Sequence, residues 1–325
     1  MLYVRAKSQN TDIRYLERNL KYMKSISSLQ ALSNNIAEIV EKSGKAIVSL
    51  NANRRFTPSG IHWQEGIIVT SDESLKRYED ITVTLENGDR KSVSLLGRDP
   101  STDVAFFQIE NPEIPVATIG DAANLKVGNL VLALARSSEG DIRAAMGAIS
   151  VVSGEWKSMS GGNIDKFIRP DISLYPGFSG GALVDALGNI IGMNTTGRRG
   201  TALTIPASTI NRVIEQLVSK GRISRGYLGL GMQPVRLPDN LKSSLNLTSN
   251  SGVIVVNVES NSAAENAGIL LGDVLISFDG STVGDTNDVL GLLNDSSSVG
   301  KSVQLQIVRG GELIELNLTV SERII

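Results

Sequence analysis

A serine framed by glycines, in Tyr175-Pro176-Gly177-Phe178-Ser179-Gly180-Gly181, is the stretch of this 325-residue chain best suited to covalent chemistry. Flanking glycines permit backbone dihedrals closed to other residues, so the amides of Gly177, Phe178 and Ser179 can converge on one point as an oxyanion hole. The same residues also read as a plain glycine-rich turn into the apolar strand at 182–184. A hydroxyl becomes a useful nucleophile only when a base takes its proton, usually a histidine oriented by a buried carboxylate. The chain has one histidine, His62. With Trp63 it sits in the first half of a hairpin whose second half is Ile67-Ile68-Val69-Thr70, pairing near Ile68.

The stretch after that hairpin, Thr70-Ser71-Asp72-Glu73, resembles the segment T-x-x-H of the Deg/HtrA branch of the trypsin-like serine proteases, with Glu73 in the histidine's place. Asp99-Pro100-Ser101-Thr102-Asp103-Val104-Ala105 resembles the same family's R-D-P-x-T-D-[LV]-A, whose second aspartate orients the histidine. Spacings of 30 residues from Glu73 to Asp103 and 76 from Asp103 to Ser179 are similar to those of the family's base, orienter and nucleophile. Phe178 and Ala182 depart from the family's G-N-S-G-G-P. The resemblance therefore implies a triad at Ser179, Asp103 and Glu73 in which the imidazole is lost.

His62 cannot substitute. At about 3.3 Å per residue it lies roughly 16 Å from the base position, and it reads as a structural or surface histidine. Glu73 is a poor base, because two neighbouring carboxylates repel and one of them holds a proton at neutral pH. Two functions follow as expectations. One is a non-catalytic binder of unfolded chains or protein C-termini, a pseudoprotease. The other is an active serine endopeptidase in protein quality control, with Glu73 or a lysine as an unorthodox base.

These residues need a frame. Short strands of period two recur from 46 to 109 and again from 129 to 205, with turn residues such as Asn87-Gly88 between them. The resemblance makes these the two barrels of the trypsin fold, with Glu73 and Asp103 on the first and Ser179 on the second. In the family's pattern Ser173, Leu174 and Asn194 to Thr196 line a specificity pocket. The loops 153–163 and 195–200 match regulatory and pocket loops, and read equally well as mobile surface. Residues 207–221 read as a helix with Ile210, Val213, Ile214 and Leu217 on one face.

Further on, Gly226-Tyr227-Leu228-Gly229-Leu230 resembles the carboxylate-binding loop of PDZ domains, and S-x-A-x-x-A-G-x-x-x-G-D-x-L from Ser262 to Leu275 is typical of them in this family. Tyr227, Leu228, Gly229 and Leu230 would receive a peptide carboxylate, and Val289 and Leu293 would line the groove. The expected class is mainly β: a trypsin-like double barrel followed by an α+β PDZ domain. The expected domains are an N-terminal helical extension (1–32), the protease domain (33–221), a linker (222–226) and the PDZ domain (227–325). A helix at 33–43, capped by Ser33 or Asn34, should lead into the first barrel. Before it, Ile13, Leu16, Leu20, Met23, Ile26 and Leu29 form a basic amphipathic stripe, read as docking or oligomer contact.

Composition narrows the partners. A formal net charge of −2 gives no electrostatic reason to expect nucleic acid or anionic membrane. The absence of cysteine excludes disulfides, zinc–thiolate sites and thiol catalysis. No cofactor or metal is called for, and no run is long enough to span a membrane. The N-terminus lacks the apolar core of a signal peptide, which points to the cytoplasm, whereas the resemblance points to the periplasm or envelope and to a homotrimer.

Overall fold

The computed structural model describes residues 27–52, 57–158, 160–197, 200–220, 224–293 and 298–324. A helix, α1, runs through residues 27–44 without a break at Ser33 or Asn34. The expected cap is therefore corrected: Asn34 lies inside the helix and accepts a hydrogen bond from Gln30 at 3.0 Å, one turn back. Residues 27–35 are exposed, whereas Ile36, Ile39 and Val40 pack on the barrels. The basic stripe from Ile13 to Ile26 lies outside the described residues.

The first barrel closes in the order β1-β2-β3-β6-β5-β4. Its strands are β1 (Ile47–Leu50), β2 (Ser59–Gln64), β3 (Ile67–Thr70), β4 (Ile81–Thr84), β5 (Arg90–Asp99) and β6 (Val104–Ile109). Their inward faces carry Val48, Leu50, Ile68, Val83 and Phe107, all buried, which is why short alternating strands close on themselves here. His62 pairs with Ile68, beside a bulge that absorbs Trp63.

The second barrel uses β7 (Leu130–Arg136), β8 (Ile142–Ser153), β11 (Phe167–Asp171), β12 (Ala182–Asp185), β13 (Ile190–Thr196) and β14 (Ala202–Pro206), closed as β11-β14-β13-β12-β7-β8. Between β8 and β11 a small hairpin, β9 (Trp156–Lys157) with β10 (Asn163–Ile164), occupies part of the loop expected at 153–163. Helix α2 (Ala207–Lys220) then lays Ile210, Val213, Ile214 and Leu217 into the core between the barrels, as its sequence stripe requires.

The C-terminal sheet runs β16 (Leu230–Arg236), β17 (Ser251–Val258), β18 (Val274–Phe278), β20 (Ser302–Arg309) and β21 (Glu312–Thr319), with β19 (Ser281–Thr282) paired to β18. Helices α3 (Asp239–Leu245), α4 (Ala263–Asn266) and α5 (Thr286–Leu293) complete this unit around its own core. The stretch expected to be a linker is corrected from Ser224 onward. It is strand β15 (Ser224–Tyr227), paired with the last strand β22 (Ser321–Ile324).

Candidate active site

Ser179 stands on a turn that the first barrel holds in place. Ser59 donates its amide to the Ser179 carbonyl at 3.0 Å and its hydroxyl to the Gly177 carbonyl at 2.8 Å. A β-carbon on Gly180 would lie 2.1 Å from the Ser59 carbonyl oxygen and 2.3 Å from Thr70 Oγ1, at a φ of +81°. Only glycine allows so close an approach between the serine turn and the end of β3. The segment carrying Glu73 is thus fixed against the segment carrying Ser179.

Of the three amides assigned to an oxyanion hole, Phe178 drops out. Its N–H is spent on the Tyr175 carbonyl at 3.1 Å, closing a turn through Pro176 and Gly177. Its ring is buried beside Ala133 and Ala135. Among the described residues the amides of Gly177 and Ser179 donate to no acceptor, so these two of the three remain unspent.

Asp103 lies at the centre of a closed set of donors. The Ser71 hydroxyl is 2.9 Å from both carboxylate oxygens, the Glu73 amide reaches Oδ1 at 2.7 Å, and the Thr195 hydroxyl donates to Oδ2 at 2.5 Å. Ser71 is a neighbour of Asp103 that the sequence reading did not name, though it could have been suspected as a hydroxyl two residues before Glu73; Thr195, expected at a pocket, meets Asp103 as well. Burial, with a smaller contribution from the Glu73 charge, pushes the Asp103 carboxyl up to about 7 against these donors. The buried Asp103 carboxyl is therefore biased toward holding a proton.

The Glu73 side chain is exposed, and among the described residues no hydrogen bond reaches its carboxylate or the Ser179 hydroxyl. The preceding Asp72 turns away: its carboxylate meets Arg98 at 2.8 Å and Tyr78 Oη at 3.1 Å, while the Arg98 guanidinium stacks over the Tyr78 ring.

His62 is fully buried and committed elsewhere. Nδ1 lies 3.1 Å from the Pro115 carbonyl oxygen, and Nε2 accepts the Gly66 amide at 3.2 Å, so the proton belongs on Nδ1. It braces its own hairpin.

A cavity of about 700 Å³ opens beside Glu73 and Asp103, walled by Trp156, Ile164, Phe167, Leu203 and Ile205. Of the residues expected at a specificity pocket, Thr195 and Thr196 line this cavity, whereas Ser173, Leu174 and Asn194 do not. Instead the β9–β10 hairpin supplies the wall, because Trp156 packs edge-on against Phe167 with ring centroids 5.3 Å apart. Among the described residues no cluster of side chains could hold a metal ion.

In the C-terminal unit, Leu228 and Gly229 carry amides without an acceptor among the described residues, while Leu230 begins β16. Gly229 has φ +78°, and a β-carbon there would meet Ser262 at 2.2 Å. A groove of about 500 Å³ opens next to Tyr227, Leu228, Gly229 and Leu230, with Leu290 and Leu293 on its α5 side. Val289 is corrected to the core: it is fully buried, because α5 turns Val289 inward and Leu290 toward the groove.

Residues 58–193 match the trypsin-like peptidase domain and residues 226–320 the PDZ domain. A probable periplasmic serine endoprotease, DegP-like, of Chlamydia pneumoniae is 31% identical over 267 residues, which is 79% of this chain and 53% of that protein. Its counterpart in Halomonas elongata is 31% identical over 276 residues, 83% of this chain and 57% of that protein. The chain thus spans about half the length of the curated relatives it matches. Among solved structures, the HtrA-type protease AlgW with decapeptide aligns with a TM-score of 0.67 at 25% identity, over 88% of this chain and 98% of that one. The serine endoprotease from Yersinia pestis aligns with a TM-score of 0.66 at 25% identity, over 88% and 97%.

Proposed function

Because this chain is a Deg/HtrA-type member of the trypsin-like serine proteases, a peptidase domain joined to a PDZ domain, we propose that it serves protein quality control as a peptide binder with a lapsed triad. One observation carries the reading: the carboxylate that should orient an imidazole is instead closed by two hydroxyls and the amide of Glu73. With no imidazole to draw the Ser179 proton, what is left is the oxyanion pair and binding, on the order of 10³–10⁴ over water. The cleft between the barrels then holds unfolded segments, and the Leu228–Leu230 amides take the free carboxylate of a C-terminal peptide. The periplasmic relatives favour an envelope compartment, and the family resemblance favours a homotrimer.

A fluorophosphonate probe tests the catalytic half, since covalent capture demands an activated hydroxyl. The chain should stay unlabelled, and Glu73→His should gain labelling that disappears with Ser179→Ala. Labelling of the unmodified chain at Ser179 would establish the alternative, an active endopeptidase with an unorthodox base.

A further inference from the structure

The PDZ groove is not made by the PDZ domain alone. Its apolar floor comes from Met232, Leu290 and Leu293, but the facing wall is peptidase, with Arg98, Ser101 and Ser160. Among the described residues no aspartate or glutamate lines it, whereas Arg98, Arg225 and Arg323 do. Asp99 pairs with Arg225 and Asp72 with Arg98, leaving Arg323, which stacks 5.1 Å over the Tyr227 ring and makes no ion pair among the described residues. Arg98 lines the groove as well, held in place by Asp72 on Nη2 and by the Tyr78 ring under its guanidinium.

A peptide that adds to β16 would sit between the floor and this wall. Successive side chains of a strand point to opposite faces. With the terminal side chain on the apolar floor, the penultimate one faces the peptidase wall. Resting on the reading of this groove as a carboxylate-binding site, we propose that its ligands are protein C-termini with an acidic penultimate residue, read jointly by Arg98 and Arg323. The preference is thus shared between two domains, and charge complementarity supplies selectivity more than raw affinity.

The experiment is fluorescence anisotropy on the full chain with labelled peptides ending in a free valine carboxylate. One carries aspartate at the penultimate position, one asparagine there, one aspartate a residue further upstream, and one is the first peptide amidated at its terminus. The penultimate aspartate should bind about fivefold tighter than asparagine at low salt. Raising the ionic strength should shrink the gap. Moving the aspartate upstream should lose it, and Arg98→Gln and Arg323→Gln should each narrow it. Arg323 is exposed, so its variant tests the inference even if Arg98→Gln fails to fold. Equal affinity of the aspartate and asparagine peptides, both dependent on the free terminus, overturns the acidic preference and leaves the carboxylate reading standing. Indifference to amidation, or no binding by any peptide, overturns both.

Discussion

Asp103 holds a left-handed backbone conformation, φ 59°, and a carboxyl that burial raises to about 7 against the donors around it. The sign of the pH dependence follows from the raised carboxyl. Unfolded, the group gives up its proton near 3.8, while folded it keeps the proton up to about 7. Between those values the native state binds more protons, so this residue's contribution to stability is full below the lower value and is lost as the pH rises to the upper one. Asp103→Asn cannot ionise and should lack that decline, while retaining an oxygen to accept the Glu73 amide. Urea midpoints measured from about pH 4 to about pH 8 check this, and parallel curves for variant and parent would reject the assignment. His62, excluded by its place on the hairpin, is also committed there: both of its ring nitrogens are spent on Pro115 and Gly66.

At the scale of elements, α5 divides its labour between two faces. Val289 and Leu293 belong to the PDZ core, whereas Leu290 and Leu293 border the groove. Four-residue spacing predicts that Val289 and Leu293 share a face, and they do; it does not tell which face meets the ligand. Val289→Ala should cost about 2 kcal/mol of stability by leaving a cavity in the core. Leu290→Ala should leave the unfolding midpoint nearly unchanged and weaken a C-terminal peptide several-fold. Thermal unfolding and peptide anisotropy on the same two variants decide, and the reverse pattern would return Val289 to the groove. The β9–β10 hairpin has a comparable double contact. Its Ser158 hydroxyl donates to the Ser101 carbonyl at 2.5 Å, while the ammonium end of Lys157 lies where a β-carbon on Gly291 of α5 would stand.

Across the whole molecule, the two domains meet at a buried ion pair. Arg225, in the strand that opens the PDZ unit, donates to Asp99, which also accepts from Ser101 and Thr102 four or fewer residues from Asp103. Asp99 is completely buried, so removing its cation strands a charge. Arg225→Met should therefore cost about 3–5 kcal/mol, read from guanidinium unfolding, and an unchanged midpoint would show that the contact is incidental. Period-two strands, the α2 stripe and the PDZ signature made both domains legible in the sequence, because local pattern and burial are coupled within each element. The spacing of Glu73, Asp103 and Ser179 was legible too, since motif spacing survives along a chain. What only tertiary structure decided was which groups those residues face: Ser71 and Thr195 on Asp103, a turn carbonyl on the Phe178 amide, and a peptidase arginine at the PDZ groove. Thr195 and Asp103 lie 92 residues apart and meet through packing, a relation that no local periodicity encodes.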